Sequence, residues 1–325
     1  ELDFCRGEIK NMKAVVTGTA GFIGSHLTER LLEEGHEVVG IDCFDTFYDP
    51  QIKRRNIAGA MTSPRFRLVE ADIRDQAAME QAIGSDIDVI VHLAARAGVR
   101  PSIEQPALYT DVNINGTVVL LELARQRQIG KFVFASSSSV YGNNRKVPFS
   151  ESDNVDFPIS PYAATKKAGE LICHTYHHLY DLGMTCLRFF TVYGPRQRPY
   201  LAIHKFARLI EAGEPIPVYG DGTMRRDFTY IDDIINGVVA AIDRCKDYAI
   251  YNLGESRPIS VSDLIAEIEK ALGKKAIRNH LPTQPGDVEQ TYADVAKAQR
   301  ELDYNPATHI ATGLAHFVRW LRNSA

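Results

Sequence analysis

Short apolar runs alternate with longer amphipathic stretches along the chain from Lys13 onward. The runs are rich in β-branched residues, and the stretches repeat apolar positions at helical spacing. Strands with near-continuous apolar residues are typical of a parallel sheet that helices cover on both faces. The pattern therefore predicts an α/β fold with a doubly wound parallel sheet of the Rossmann type, whose strands are KAVVT, EVVGID, FRLVEAD, DVIVHLAA, KFVFASS and MTCLRFF.

Three helices are predicted between these strands, Phe22 to Glu34, Pro106 to Arg127 and Pro161 to Tyr180. The second and third helices are long and apolar on more than one side. An additional apolar face on each would form a four-helix contact between two copies, although packing on the sheet alone also accounts for it. We expect a homodimer through residues 106–127 and 161–180.

The pattern becomes less regular after Phe190, where Pro and Gly are frequent. Helices are predicted there at Ala202 to Ala212, Val261 to Leu272 and Ala311 to Arg322, which suits a smaller α/β substrate-binding domain above the strand ends. A helix and a strand between Asp227 and Gly254 are predicted to return to the main sheet.

The two domains are therefore expected to be interleaved. The NAD-binding Rossmann domain is predicted at 12–190 plus 227–254, and the nucleotide-sugar-binding domain at 191–226 plus 255–325. Residues 1–11 precede the first methionine, and we expect them to be a remnant of expression cloning or a loose extension.

Composition excludes several classes of function. The 325 residues are 45% hydrophobic and carry a formal charge of -4, so no basic field is available for nucleic acid. No apolar run approaches the roughly 18 residues of a membrane span. The five cysteines are odd in number and lack a CxxC pair, which indicates free thiols in a reducing compartment, and we expect a cytoplasmic protein. The ten histidines show no metal-binding spacing, and no metal is expected.

A glycine-rich segment, TGTAGFIG, lies between the first strand and the first helix. Gly18, Gly21 and Gly24 allow a tight turn, close approach of the backbone to a pyrophosphate, and close packing of the helix on the strand. Phe22 and Ile23 begin the helix, whose free N–H groups attract phosphate. This position within a βαβ unit indicates a dinucleotide site, whereas the alternative is merely a tight turn.

Asp42 ends the second strand, eighteen residues beyond Gly24. A carboxylate there accepts both adenosine ribose hydroxyls and repels a 2′-phosphate, which favours NAD over NADP. A solvated acid at the strand end is the alternative. Asp72 and Ile73 follow the third strand and could meet the adenine ring, although Asp is common at strand ends.

Tyr162 and Lys166 are four residues apart and fall on one face of a predicted helix. A neighbouring cation stabilises a phenolate, and lowering a tyrosine pKa from 10 to about 7 takes roughly 4 kcal/mol. The spacing alone arises by chance on many helices. Ser137, at the end of the fifth strand, strengthens the prediction because its hydroxyl can bridge a substrate oxygen and the phenol.

The motifs TGTAGFIG, HLAA, SSSSVYG, YxxxK and RFFTVYGP, in this order, resemble those of the extended short-chain dehydrogenases/reductases, specifically the nucleotide-sugar epimerases and dehydratases. The resemblance covers residue 13 to the end of the chain. It implies that Tyr162 is the catalytic base, that Lys166 positions the nicotinamide ribose and that Ser137 assists the tyrosine. It also implies that Ala94 of HLAA and Asn113 of NINGT belong to the NAD site.

The residues after Ser137 distinguish members of that family. Its dehydratases typically have Asp-Glu there, and its decarboxylases have a glutamate just before the VYG triplet, whereas this chain has Ser138 and Ser139. Without a second carboxylate, chemistry that stops at reversible oxidation is favoured. The segments HLAARAGVRPS and RFFTVYGPRQRP resemble those of UDP-glucuronate 4-epimerases.

This resemblance implies a substrate with a carboxylate on the hexose. Arg198 and Thr191 are the candidates to hold it, and Arg100 is a further candidate. Arg226 and Asp287 resemble family contacts to the nucleotide diphosphate and the uridine ribose. As alternatives, Arg198 is a loop cation or a diphosphate ligand, Arg226 a surface arginine and Asp287 a turn residue.

These features predict an NAD-dependent UDP-glucuronate 4-epimerase whose partner is a UDP-sugar. The nearest alternative is a 4-epimerase of UDP-glucose or UDP-N-acetylglucosamine. A UDP-glucuronate decarboxylase is disfavoured by Ser139. A non-catalytic NAD-binding regulatory protein on the same fold is disfavoured by the set of Ser137, Tyr162 and Lys166.

Overall fold

The computed structural model of the protein describes residues 11–282 and 290–323. Its strands, in chain order, are β1 (Lys13–Thr17), β2 (Glu37–Asp42), β3 (Phe66–Glu70), β4 (Val89–His92), β5 (Lys131–Ser137), β6 (Gly183–Phe189), β7 (Thr191–Tyr193), β8 (Ile216–Tyr219), β9 (Arg225–Arg226), β10 (Phe228–Tyr230), β11 (Tyr248–Leu253), β12 (Ile259–Ser260) and β13 (Arg278–Leu281). Its α-helices are α1 (Phe22–Glu33), α2 (Pro50–Asn56), α3 (Gln76–Ala82), α4 (Val99–Glu104), α5 (Pro106–Thr110), α6 (Gly116–Gln126), α7 (Pro161–Tyr180), α8 (Ala202–Ala212), α9 (Ile231–Arg244), α10 (Val261–Leu272), α11 (Ala296–Leu302) and α12 (Ile310–Asn323).

A parallel sheet forms the centre of the molecule. Among the described residues it has seven strands in the order β11-β6-β5-β4-β1-β2-β3, and every neighbouring pair is parallel. The strand order reverses direction at β1, so the loops after β1 and β4 diverge and leave a crevice at the carboxyl edge. The predicted doubly wound sheet is confirmed.

Helices cover both faces of this sheet, as the continuous apolar strands require. Val16 belongs to the core that α1 and α9 share, where it lies with Leu31. Val15, one residue earlier, points to the other face and lies with Leu120 of α6 in a second core. Alternate residues of one strand therefore serve two separate cores.

The predicted helix 106–127 is confirmed and contains a π-helical segment. This π-turn at Asp111–Asn115 lies between α5 and α6, and the chain is helical without a break from Pro106 to Gln126. Asn113 lies within the π-turn, and its side chain forms hydrogen bonds with residues outside the helix. Such turns insert one residue into a helix and are frequent at functional sites.

The residues after β7 build a smaller unit against the same core. Its helices include α8 and α10, whose bounds match the prediction, and α12, which is one residue longer at each end than predicted. Ile203, Leu264 and Phe317 join the core that contains Val133 of the main sheet. The predicted return to the main sheet is observed, because β11 pairs with β6. The bounds of the two domains stay a prediction.

Helix α7 presents apolar side chains to the surface. Leu171 and Leu179 are 56% and 59% exposed, although large aliphatic residues on a globular protein are usually covered. These residues lie within the predicted dimer contact, which stays a prediction.

Other sequence expectations concern cysteines, metals and membranes. Cys43, Cys173, Cys186 and Cys245 are free thiols. Across residues 11–282 and 290–323, no three His, Cys, Asp or Glu side chains are grouped so that they could hold a metal ion. No helix in that part of the chain is both long and apolar enough to cross a membrane.

A buried carboxylate in the smaller unit is poorly solvated. Glu255 is 7% exposed, and neither of its carboxylate oxygens accepts a hydrogen bond within the described part of the chain. Arg257 Nη1 lies 3.3 Å from Oε1, which only partly compensates. Burial and the charge of Asp233 together raise the pKa of Glu255 to about 7, although Arg257 lowers it. The folded protein therefore holds a proton there that the unfolded chain releases near pH 4.5.

The consequence is a loss of stability as pH rises from about 4.5 to 7, because the folded state binds this proton more tightly than the unfolded chain. Replacing Glu255 with glutamine removes the charge but keeps the shape. We expect this variant to gain about 1 to 3 kcal/mol in free energy of unfolding at pH 8, and little at pH 4.5. Urea unfolding of the variant and the wild type at both pH values measures this difference in the free energy of unfolding.

Glu214→Gln is the matched control, since Glu214 is exposed and its substitution should alter stability little at either pH. Equal destabilisation of Glu255→Gln at both pH values would show instead that the carboxylate makes a net favourable interaction.

Candidate active site

A cavity of about 530 Å³ lies at the carboxyl edge of the central sheet. It brings together most of the predicted site residues, namely Gly18, Gly21, Phe22, Ile23, Gly24, Asp42, Asp72, Ile73, Ala94, Ser137, Ser138, Ser139, Tyr162, Lys166, Thr191 and Arg198. Parallel strands end at one edge, so side chains far apart in sequence share this crevice. Asn113, Arg100 and Arg226 are not among its lining residues. Asp287 lies outside the described residues.

The glycine turn between β1 and α1 has no room for side chains. Gly18 adopts a positive φ of 72°, and a Cβ there would lie 2.9 Å from the backbone nitrogen of Ala94. A Cβ on Gly24 would overlap the carbonyl oxygen of Gly18. The start of α1 lines the cavity, and its first N–H groups have no intrahelical acceptor. This shape fits a pyrophosphate.

Asp42 lies at the carboxyl end of β2 and is 8% exposed. The N–H of Ala20 donates to Oδ2 at 3.1 Å, and the N–H of Phe44 donates to Oδ1 at 2.8 Å. Each oxygen keeps a second lone pair, so the carboxylate can also accept two ribose hydroxyls. Burial raises the pKa of Asp42, while Lys53 and the two backbone donors lower it.

Asp72 is engaged by Arg74 rather than free. Arg74 donates to both carboxylate oxygens of Asp72 and also to Asp111 at the π-turn. The hydrogen bonds from Arg74 lower the pKa of Asp72. Ile73 is buried between these residues and offers an apolar surface to the cavity. Asp72 lines the cavity as well, and the contact of both residues with the adenine ring stays a prediction.

Asn113 is buried behind the cavity. Its Oδ1 accepts the N–H of Arg96 at 2.8 Å, and its Nδ2 donates to the carbonyl oxygen of Arg96 and to Thr165 Oγ1 at 3.0 Å. Asn113 therefore links the loop after β4 to helix α7, one residue before Lys166. Its position supports a role in shaping the site from behind.

Tyr162 stands in the first turn of α7. That helix begins after Ser160, whose hydroxyl accepts the N–H of Ala163 at 3.1 Å, and has Pro161 in its first turn. Burial raises the pKa of Tyr162, whereas a hydrogen bond with Ser137 and the positive charge of Arg198 lower it. Ser137 and Tyr162 both line the cavity, which brings together the two hydroxyls of the predicted shared role.

Lys166 is buried against β5. Its Nζ donates to the carbonyl oxygen of Ala135 at 2.7 Å and lies 5.0 Å from the centre of the Phe134 ring. Burial lowers the pKa of Lys166 to about 8. The predicted roles of Lys166, beside the phenol and at the nicotinamide ribose, stay predictions.

The serines after β5 form a short 3-10 turn. The N–H of Ser139 donates to Ser137 Oγ at 3.1 Å, and the Ser137 hydroxyl donates to Ser139 Oγ at 3.1 Å. All three serines line the cavity, as does Thr191 at the start of β7. No carboxylate occurs in the turn, so its polar groups can orient a sugar but cannot remove water from it.

Arg198 shares the cavity with Tyr162 and Thr191. Its guanidinium lies 5.1 Å from the centre of the Tyr200 ring. Among the described residues, no acidic side chain forms an ion pair with it. By contrast, Arg96 in the same cavity is paired with Asp45. An arginine with no acidic partner in a half-buried cavity is suited to an anionic ligand.

Arg100 and Arg226 lie outside this cavity. Arg100 is exposed on α4, with its guanidinium 4.9 Å from the centre of the Tyr219 ring. Arg226 belongs to β9 and donates to the carbonyl oxygen of Arg225. Both have further interactions. Their roles in substrate binding stay predictions.

Several lining residues were not predicted. The segment after β2 contributes Asp45, Phe47, Tyr48 and Lys53, and the loop after β4 contributes Arg96. Lys53 is buried and donates to the carbonyl oxygen of Asp45 at 2.9 Å. The sequence gives only a weak indication that this segment belongs to the site, because an aromatic pair and two acids in DTFYDP are all that distinguish it from an ordinary loop.

Comparison with known proteins gives consistent results. A family model described as GDP-mannose 4,6 dehydratase matches residues 15–317. The UDP-glucuronate 4-epimerase of Thermodesulfobacterium geofontis is 44% identical over 312 residues, covering 95% of this chain and 96% of that protein.

Solved structures are similar over the same length. UDP-glucuronic acid 4-epimerase from Bacillus cereus, crystallised with UDP-glucuronic acid and NAD, has a TM-score of 0.90 and 40% identity, covering 97% of this chain and 100% of that chain. UDP-glucose 4-epimerase from Thermotoga maritima, crystallised with UDP-glucose, has a TM-score of 0.89 and 32% identity, covering 96% of this chain and 99% of that chain.

Proposed function

The chain belongs to the nucleotide-sugar epimerases and dehydratases of the extended short-chain dehydrogenase/reductase family, and from this premise we propose that it is an NAD-dependent UDP-glucuronate 4-epimerase. It interconverts UDP-glucuronate and UDP-galacturonate. The observation that carries the substrate assignment is Arg198, a guanidinium without an acidic partner among the described residues, in the cavity that contains Tyr162. A neutral hexose offers no charge to such a group, whereas a uronate does.

The residues of the cavity fit NAD. The glycine turn and the start of α1 hold the pyrophosphate, Asp42 accepts the adenosine ribose hydroxyls, and Lys166 holds the nicotinamide ribose. Bound NAD supplies the acceptor for the hydride on C4 of the hexose and returns that hydride later. The crowding at Gly18 supports this assignment, because a Cβ there would lie 2.9 Å from the backbone nitrogen of Ala94 and the tight turn of a dinucleotide site could not form.

Tyr162 acts as the base of the reaction. Its phenolate removes the proton of the 4-hydroxyl as the C4 hydrogen leaves, and its phenol returns that proton when the sugar is reduced again. The Ser137 hydroxyl bridges the sugar oxygen and the phenol. Burial raises the Tyr162 pKa, so the phenolate requires positive charge nearby. Arg198 supplies part of it, and the positive nicotinamide ring supplies more.

Inversion requires the flattened sugar to turn about its link to the diphosphate, so that the hydride returns to the opposite face. A 4-keto uronic acid is a β-keto acid that readily loses carbon dioxide. The Arg198 guanidinium and the Thr191 hydroxyl are placed to bind the carboxylate and to hold it away from the geometry that permits this loss. Ser138 and Ser139 orient the sugar but provide no carboxylate for elimination.

The remaining assignments are part of the same proposal. Arg226 and Asp287 bind the nucleotide diphosphate and the uridine ribose, and the protein forms a homodimer through 106–127 and 161–180. The free cysteines support a cytoplasmic location.

Proton NMR tests the proposed function. The protein is incubated separately with UDP-glucuronate and UDP-glucose without added reductant, and the anomeric signals are followed to equilibrium. We expect UDP-galacturonate to appear and UDP-glucose to remain unchanged. Conversion of UDP-glucose alone would transfer the assignment to a neutral-sugar epimerase. Accumulation of NADH or of a UDP-pentose without an epimer would refute epimerisation.

A further inference from the structure

Two loops that are distant in sequence meet beside the cavity. Phe47, in the loop after β2, contacts Tyr200, in the loop before α8, with ring centres 5.1 Å apart and planes at 75°. Edge-to-face packing of this kind stabilises an aromatic pair. We refer to Phe47 and Tyr200 as the aromatic bridge. It connects the NAD-binding part of the molecule to the smaller unit.

Each ring of the aromatic bridge is contacted by the guanidinium of one arginine. The Arg96 guanidinium lies 5.2 Å from the centre of the Phe47 ring, and the Arg198 guanidinium lies 5.1 Å from the centre of the Tyr200 ring. These distances are within the range of cation–π interactions. The four side chains thus form a continuous row, and all of them except Tyr200 line the cavity.

The Arg96 end of this row is firmly anchored. Arg96 Nη1 donates to Asp45 Oδ1 at 2.8 Å. Its backbone N–H and carbonyl oxygen are both bonded to the side-chain amide of Asn113, at 2.8 Å and 3.0 Å. Phe47 therefore packs on a fixed group, and Tyr200 packs on Phe47. The position of Arg198 then depends on a ring that is itself held in place.

A guanidinium that packs on an aromatic face is held differently from one that is paired with a carboxylate. A carboxylate would occupy the N–H edge of Arg198 and neutralise its charge, and it would then compete with an anionic substrate. A ring face contacts the flat side of the guanidinium, so the N–H edge stays free for a bidentate bond and the charge is retained. Among the described residues, Arg96 has a carboxylate partner, Asp45. Of the two kinds of partner, Arg198 has only an aromatic face, that of Tyr200.

We infer that Phe47 and Tyr200 are positioning residues for substrate specificity, which orient Arg198 toward the carboxylate of the hexose without neutralising it. This inference rests on the proposed function. It adds residues that contact neither the reacting atoms nor the carboxylate, and it gives a loop of the NAD-binding part a role in selection of the sugar.

The test compares ring removal with ring retention. Phe47→Leu and Tyr200→Leu remove a ring but keep an apolar side chain, and Tyr200→Phe is the matched control that keeps the ring. The readout is the ratio of the inhibition constant of UDP-glucose to the KM of UDP-glucuronate. We expect Tyr200→Leu to lower this ratio about tenfold, mainly through KM, because the cation–π contact is lost. Phe47→Leu should act in the same direction, and Tyr200→Phe should match the wild type.

A pH profile separates positioning from general damage. Arg198 lowers the pKa of Tyr162, so a displaced Arg198 should move the acidic limb of kcat/KM toward higher pH in Tyr200→Leu. Bound NAD should be unchanged. If the wild type prefers UDP-glucuronate and both leucine variants keep its ratio and its pH profile, the inference is wrong and the proposed function stands. If the wild type shows no preference for UDP-glucuronate, the inference and the proposed function both fail.

Discussion

Replacing Tyr162 with phenylalanine is expected to lower the turnover of UDP-glucuronate about a thousandfold while the protein keeps its NAD. The hydroxyl is the group that exchanges a proton with the sugar, whereas the ring contributes to packing against Tyr109, 6.3 Å away between ring centres. Phenylalanine keeps the ring and removes only the proton carrier. Turnover is measured by NMR, and bound NAD by its release on denaturation.

Tyr109→Phe is the matched control. It removes the hydroxyl of the neighbouring tyrosine, which donates to the carbonyl oxygen of Ala97 at 3.0 Å and is assigned no proton transfer. We expect this variant to lose stability, with turnover reduced at most a few-fold. If Tyr162→Phe retained more than about a tenth of wild-type turnover, another group would have to act as the base.

Replacing Arg198 with alanine is expected to reduce kcat/KM for UDP-glucuronate about a hundredfold and to change binding of UDP-glucose much less. Each charge-assisted bond to the carboxylate is worth roughly 1.5 to 3 kcal/mol. Since the variant no longer holds the carboxylate of the keto sugar, we also expect a UDP-pentose to form by loss of carbon dioxide. Both effects are visible in one NMR time course.

Two further variants refine this result. Arg198→Lys keeps the positive charge but loses the planar fork, so it should recover only part of the activity. Arg196→Ala removes a nearby arginine whose guanidinium is paired with Glu29 at 2.8 Å, and selectivity should not change. Unaltered uronate selectivity in Arg198→Ala, with no pentose released, would show that the carboxylate binds elsewhere.

The expected role of Lys166 illustrates a limit of local reasoning. The spacing from Tyr162 to Lys166 places both residues on one helix face, and it suggested that the ammonium acts on the phenol. In the structure the ammonium donates to the carbonyl oxygen of Ala135, a hydrogen bond that the spacing did not predict. Helical spacing determines which side chains share a face, but the acceptor depends on the strand packed against that face.

The sequence by itself determined the features that depend on local periodicity. Apolar runs and helical spacing were enough for the parallel sheet, because burial on both faces leaves few other patterns. The turn at Gly18 and Gly24 was recognisable because glycine spacing reports backbone crowding directly. Ser137 and Tyr162 could be placed in one site because the carboxyl ends of parallel strands share one edge.

Only the tertiary structure decided the features that join distant segments. The π-turn at Asn113 depends on bonds to the loop at Arg96 and to Thr165 on another helix. The aromatic bridge joins Phe47 to Tyr200 across the cavity, and no local pattern pairs them. The cation–π support of Arg198, with no acidic partner in the described part of the chain, follows from that packing. Periodicity reports burial, whereas the partners of a buried or charged group are set by which elements pack together.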